Sequence, residues 1–314
     1  MILTEDLKLR FKKLFHEQKF YELISLIEKT IEPKDRPAGL WNLLGVARLS
    51  EKKPTKEILI AAVNDFKEGY FKDNNSQNAI EALGNLINTS VELFDLDNSL
   101  VNFQELIGFY NNSKIYCLNN YSINYAMHRI YKRLNDVEEI IFHLKKIIEN
   151  KKYTSNDLVS YIYHRSFNKL WTQKDFLDYG NLLDNNLKEY SSSKLINFPN
   201  IKNDKIKIGF LSGDIRSSHS VTYFLKTVLD HYDKNKYEII LILNQNVNDQ
   251  TTDYFKNIFD KTINIVDYDD IKAINEIRSL SLDFIYDLMG LTSTNRINLF
   301  KNRIAKKQII WLGY

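Results

Sequence analysis

Cysteine is all but missing from this chain. A single one, Cys117, stands among 314 residues, so no internal disulfide is available and a reducing compartment is the natural setting. Prolines number four and glycines ten, which excludes collagen-like and loop-dominated scaffolds. No uninterrupted apolar run approaches the roughly 20 residues that span a bilayer, and Met1 to Asp6 carries acids where a secretory leader carries bases. An excess of one charge is also lacking: 43 basic and 40 acidic residues are interspersed to a net +3. No basic face for nucleic acid or an anionic membrane follows from that pattern, so a cytoplasmic protein with neither partner is expected. What is present is length enough for two domains, each able to bury a core.

Residues 1 to 190 read as helical throughout. Leu7, Phe11, Leu14 and Phe15 share one helical stripe, and Phe20, Leu23, Ile24 and Ile27 share another, before Pro33 and Pro37 bracket a turn. Trp41, Leu44 and Gly45 then fall at i, i+3 and i+4, a large-large-small arrangement that lets one helix nest against its neighbour. Together with Leu23, Ala62 and Phe66, this spacing resembles the tetratricopeptide repeat, and Leu83-Gly84 suggests a further first helix. The sharpest hairpin is Tyr131 to Ile147, with Asn135-Asp136 at its turn, and a last pair spans Leu158–Trp171 and Asp175–Leu187. Such a stack is either a spacer or a groove for extended polypeptide. His128, His143 and His164 lie inside helices without partners at metal-ligand spacing and are read as structural.

Periodicity lapses over residues 191–203, a linker, and a different grammar begins at 204. Ile206, Ile208 and Phe210 open a strand, Ser212-Gly213-Asp214 breaks it, and Val221, Phe224, Leu225, Val228 and Leu229 recur at helical spacing from Ser220. Further strands are expected at Tyr237–Leu243, around Ile263 to Val266, at Leu282–Leu288 and at Ile309–Leu312. Between them come a helix at Asp249–Phe259, one capped by Asp270, and a short one capped by Ser293 and Thr294. Five strands alternating with four helices make a Rossmann-like parallel sheet over residues 204–314. Dinucleotide and Walker signatures are missing, and Asp267-Tyr268-Asp269 is read as a strand end followed by a helix cap in preference to a metal-nucleotide site. The polar residues at the carboxyl ends of strands, where open α/β sheets bind ligands, are Asp214, Arg216, His219, Ser220, Gly290 and Thr292. His219, at a helix N-terminus, is expected to be neutral and able to accept a proton.

Three ordered motifs resemble the O-linked N-acetylglucosamine transferase family, with its bacterial and SPINDLY-like members. They are Ile208-Gly209-Phe210-Leu211-Ser212-Gly213-Asp214-Ile215-Arg216 with His219-Ser220-Val221-Thr222-Tyr223-Phe224; Asp287-Leu288-Met289-Gly290-Leu291-Thr292 with Asn295-Arg296; and Gln308 with Trp311-Leu312-Gly313-Tyr314. The resemblance implies a tetratricopeptide-like α-superhelix joined to the first lobe of a GT-B glycosyltransferase, an α + α/β architecture. It implies inverting transfer of a sugar from UDP-GlcNAc, or from GDP-fucose in some plant members, to Ser or Thr of a polypeptide lying along the repeats, without metal or other cofactor. By position His219 becomes the active-site histidine near the acceptor, and Asp214, Arg216, Ser220, Gly290, Thr292, Gly313 and Tyr314 line the substrate cleft. Two serines separate Arg216 from His219 where one residue is usual in that family, and Leu291 replaces its usual His or Tyr. Family members continue beyond the position of Tyr314 into a second lobe, so this chain alone is expected not to turn over substrate. A non-catalytic tetratricopeptide-type adaptor is the competing reading, and a Rossmann enzyme using a nucleotide or methyl donor is a third.

Overall fold

A computed structural model describes residues 3–50, 54–73, 76–168, 171–190, 204–292 and 294–311. The chain forms two compact units, Met1–Tyr153 and Thr154–Tyr314. The sequence places the boundary at 190, whereas the packing divides after Tyr153. Periodicity identifies a helical hairpin but does not say which neighbour it packs against. The expected linker, 191–203, lies outside the described residues.

The first unit is a run of helices: α1 (Glu5–His16), α2 (Phe20–Thr30), α3 (Ala38–Leu49), α4 (Lys56–Lys72), α5 (Gln77–Leu96), α6 (Phe103–Asn112), α7 (Lys114–Cys117), α8 (Tyr121–Leu134) and α9 (Val137–Glu149). Their starts are written in the sequence. Thr55, Ser76, Asn120 and Asp136 each accept a backbone N–H from the first turn that follows. α8 stops where Asn135 turns left-handed at φ 55°, a conformation asparagine tolerates. α3 packs on α4, α4 on α5, α5 on α8 and α8 on α9. Phe11, Leu23, Ile27, Trp41 and Leu44 fill one core, and Phe66, Leu83, Ile123 and Met127 belong to the next. Gly45 meets Phe66 as its spacing suggests: a Cβ there would lie 2.4 Å from the ring. His143 is fully buried, its Nδ1 2.9 Å from Asn124 Oδ1. The Asn124 amide nitrogen is spent on carbonyls including Cys117 O, so Oδ1 accepts and His143 donates. Burial holds this imidazole neutral, with its pKa lowered to about 3, and pushes the buried Cys117 thiol up to about 11.

The second unit begins with the pair α10 (Ser155–Arg165) and α11 (Gln173–Asn186), each opened by a threonine–aspartate capping box. There follow β1 (Ile206–Ser212), α12 (Ser220–Leu229), β2 (Tyr237–Leu243), α13 (Gln250–Ile258), β3 (Lys261–Asn264), α14 (Asp270–Ser279), β4 (Phe284–Asp287), α15 (Ile297–Lys301) and β5 (Lys307–Ile310). All pairs are parallel, in the order β3-β2-β1-β4-β5. One sheet face packs on α12 and α13 through Leu225, Leu229 and Phe255; the other packs on α14 and α15 through Ile274, Ile277 and Leu299. Asn298 and Asn302 grip the segment after α11: Lys188 N donates to Asn298 Oδ1 at 2.6 Å, and Tyr190 N to Asn302 Oδ1 at 2.8 Å. Lys301 pairs with Asp184 at 2.7 Å. These contacts account for the last hairpin belonging to the sheet unit.

Several expected boundaries move. β3 ends at Asn264, one residue before the buried apolar Ile265, whose N–H still donates to Leu243 O of β2 at 2.8 Å. Asp269, not Asp270, caps α14, accepting from Lys272 N at 2.8 Å. α15 starts after Arg296 with no side-chain cap, and Thr294 is engaged elsewhere. The expected cap Ser293 is outside the described residues.

β4 closes on Asp287, whose carboxyl is 2 % exposed and accepts from Met289 N at 2.9 Å. Burial raises its pKa to about 6 against the opposing pull of the Met289 and Gly290 N–H groups. A carboxyl harder to ionise when folded costs stability as it ionises, so the contribution of Asp287 favours the fold most below the ordinary carboxylate range and is lost up to about pH 6. The loss is roughly 3 kcal/mol at most. Amide exchange of β1 and β4 between pH 4 and 7 should show this decline, and Asp287→Asn should flatten it. In the helical unit, Gly45→Ala should destabilise α3 and α4 by about 1–3 kcal/mol in the same experiment. Gly108→Ala, where a Cβ meets nothing within 4 Å in mid-helix, should be neutral or stabilise by up to ~1 kcal/mol.

Candidate active site

The strand order sets the location. The chain moves outward from β1 to β2 and β3, then returns to place β4 on the other side of β1. The loops leaving β1 and β4 therefore part company at the carboxyl end of the sheet, where such folds leave a crevice. Asp214, Arg216 and His219 lie on the first loop, and Gly290, Thr292 and Thr294 on the second.

The first loop is anchored by an apolar residue. Ile215 is fully buried in the core beneath α12, and its carbonyl accepts from Gln245 Nε2 at 2.5 Å and Thr252 Oγ1 at 2.8 Å. Asp214 and Arg216, on either side of it, are fixed at the rim. Further on, Ser217 N donates to Asp249 Oδ2 at 2.8 Å. The Ser217 and Thr252 N–H donors hold the Asp249 carboxyl down to about 2. The second serine of the pair, Ser218, takes the left-handed conformation at φ 61°, and this absorbs the extra residue before His219.

His219 caps α12: its Nδ1 accepts from Val221 N at 3.4 Å. The lone pair reserved for proton acceptance in the sequence reading is therefore the one the helix uses. In the neutral ring the hydrogen sits on Nε2, 3.6 Å from Asp214 Oδ1, close enough for attraction but too long for a hydrogen bond. The same carboxylate oxygen lies 3.5 Å from Arg216 Nη2, and Oδ2 accepts from Thr294 Oγ1 at 3.3 Å. Asp214 is nearly buried, with its side chain 8 % exposed, while the Arg216 guanidinium is 48 % exposed and contributes little through that long contact.

Thr294 joins the two loops. It lies so close to Gly213 that a Cβ there would stand 2.8 Å from the threonine side chain, and its carbonyl accepts from Asn244 Nδ2 at 3.0 Å. Arg296 holds this arrangement from below, donating to Asn244 Oδ1, the Ile265 and Tyr268 carbonyls and Asp270 Oδ1 at 2.9–3.3 Å. One guanidinium thus ties together the ends of β2 and β3, the start of α14 and the loop after β4.

Of the residues singled out from sequence, Asp214, Arg216 and His219 come together. Ser220 is the exposed first residue of α12. Thr292 spends its hydroxyl on Met289 O at 2.8 Å inside its own turn, and Gly290 supplies the φ of 54° that the turn requires. Gly313 and Tyr314 lie outside the described residues. Sequence reasoning missed Thr294, Asn244 and Arg296 as site-builders. Thr294 was masked by its fitness as a helix cap, and only the Asn295-Arg296 resemblance pointed nearby. Donors (Arg216, His219 Nε2–H, Thr294) surround a single carboxylate, a set suited to hydroxyl groups. No cluster of three metal-ligating side chains occurs among the described residues.

Comparison with known proteins places the sheet-bearing stretch beside a family of glycosyl transferases. Residues 182–314 match glycosyl transferase family 41. The chain is 30% identical over 116 residues, 35% of its length, to a probable UDP-N-acetylglucosamine–peptide N-acetylglucosaminyltransferase SPINDLY of Arabidopsis thaliana. It is 28% identical over 135 residues, 41% of its length, to the protein of that name from Oryza sativa. These stretches are 12% and 14% of the plant proteins, so the chain corresponds to a small part of them. An O-GlcNAc transferase mutant of Thermobaculum terrenum shares the fold, with a TM-score of 0.57 and 18% identity over 82% of this chain and 48% of that one. β1, β4 and the loops between them lie inside the matched stretch, so the sheet-bearing part of this chain resembles glycosyl transferase family 41.

Proposed function

We propose that the chain is the acceptor-side portion of an inverting protein O-glycosyltransferase, moving GlcNAc from UDP-GlcNAc to Ser or Thr of a polypeptide. The observation that carries this reading is the junction of Asp214, His219 and Thr294 at the switch point of a segment matching family 41. In the reaction the acceptor oxygen bonds to the anomeric carbon as the bond to the diphosphate breaks, and most of the demand is for alignment and charge stabilisation. His219 serves as an Nε2–H donor that orients a hydroxyl or sugar oxygen, and the exposed Arg216 guanidinium attracts phosphate. Neither role needs a metal or a free imidazole lone pair. These residues supply one side of a site, so the 314-residue chain alone is inactive on this reading.

The polypeptide partner is supported by a shallow groove of about 250 Å³ in the helical unit, lined by Asn42, Asn85, Asn120 and Ser122. The Asn85 amide donates to Asn42 Oδ1 at 2.8 Å, so side-chain amides line up where a peptide backbone needs donors and acceptors. The adaptor reading retains one observation in its favour: Leu291 places an apolar side chain on the loop after β4, where the family carries His or Tyr.

Radiolabelled sugar transfer from UDP-GlcNAc to a mixed acceptor-protein pool, by the complete gene product, tests the proposal. His219→Asn keeps an N-cap oxygen and should leave the melting temperature within about 1 °C while lowering transfer at least tenfold. His219→Ala loses the cap as well, at about 0.5–2 kcal/mol. Absence of both transfer and nucleotide binding by well-folded protein would leave the adaptor.

A further inference from the structure

One concavity of the sheet unit lies away from the switch point. On the face that carries α12 and α13, no helix among the described residues lies over β4 and β5. A groove of about 500 Å³ opens there, floored by Ile206, Ile208, Phe284, Tyr286 and Trp311 and walled by α12 through Val228. Val228 is 45 % exposed, and Phe224, one turn earlier on α12, is 58 % exposed, so the apolar surface runs up out of the groove. Two uncovered strands at ~4.8 Å spacing give a shelf about 10 Å wide, the diameter of one helix, beside a helix already in place.

The rim of this groove carries three lysines, with Asp233 and Asp260 near Tyr232. Lys234 lies 5.9 Å from the ring centre of Tyr232, Lys236 lies 5.3 Å from that of Tyr237, and Lys307 lies 5.4 Å from that of Phe284. Each of these rings lines the groove, and no carboxylate pairs with any of the three lysines among the described residues. All three sit toward the amino ends of the strands, opposite the candidate active site. An apolar shelf one helix wide with positive charge along one end is complementary to a specific kind of surface.

We propose that this groove is a docking site for an amphipathic helix whose apolar stripe is flanked by acidic residues. The helix lies beside α12 over β4 and β5, with its carboxylates against Lys234, Lys236 and Lys307. The site is separate from the proposed transfer chemistry and stands or falls independently of it.

The test uses the 314-residue protein and a fluorescein-labelled peptide of about 16 residues, long enough to span the ~23 Å of β1. Its apolar stripe is leucine and its flanks are glutamate; a lysine-flanked counterpart and a scrambled glutamate peptide accompany it. Fluorescence anisotropy should show binding of the glutamate helix at least tenfold tighter than either control, with methyl NMR shifts at Ile206, Ile208 and Val228. Charge reversal by Lys234→Glu, Lys236→Glu and Lys307→Glu should invert the preference between the glutamate and lysine peptides. Val228→Asp, on a half-exposed position that leaves the core intact, should abolish binding of both. No binding, equal binding of the glutamate and lysine helices, or shifts confined to another surface would overturn the proposal. So would capture of anionic vesicles but not of the peptide, or self-association in sedimentation that Val228→Asp removes; these would assign the groove to lipid or to a second copy.

Discussion

The parallel pairing of β1 on both its edges is the constraint from which the sheet unit follows. β1 bonds to β2 along seven register pairs and to β4 along four, so every backbone group along its inner length is satisfied by a neighbour. With both faces covered toward its carboxyl end as well, its side chains are apolar on successive positions from Phe210 to Leu211, and the polar residues are displaced to just past Ser212. Because β2 and β4 are reached by crossovers running in opposite directions, the loops leaving β1 and β4 diverge at that end. The candidate site is a by-product of chain direction before it is a matter of particular side chains.

Much of this was legible in the sequence, for physical reasons that also explain what was not. A doubly covered strand writes continuous apolar residues, and a helix on its surface writes a stripe, so β1, α12 and β2 stand where periodicity puts them. Edge elements depend on what one neighbour offers: β3 pairs only with β2, and its ladder stops at Asn264 although Ile265 is the more deeply buried residue. The motif residues Asp214 and His219 were accessible as polar interruptions after a strand. Thr294 was not, because a threonine ahead of a helix satisfies local rules whether or not it is used there. Its actual partner, Asp214, is 80 positions away.

The histidine shows the difference between a residue's identity and its state. Position alone reads His219 as a helix-terminal imidazole free to take a proton, whereas the Val221 N–H engages the free lone pair and orients the ring so that its hydrogen faces Asp214. Capping and the proposed chemistry thus share one side chain. The helix gains a satisfied N–H, and the site gains a donor whose direction is set before any ligand arrives.

Ile215 carries a last consequence. A loop pinned at its centre by a fully buried side chain, with its carbonyl doubly bonded, cannot lift as a lid. Its freedom is confined to the side chains on either side, chiefly the Arg216 guanidinium, so a ligand here meets a surface already ordered and forfeits little conformational entropy on arrival. Whatever closure the site undergoes must come from outside this loop, and the cost of forming its half of the cleft is met during folding, when Ile215 enters the core.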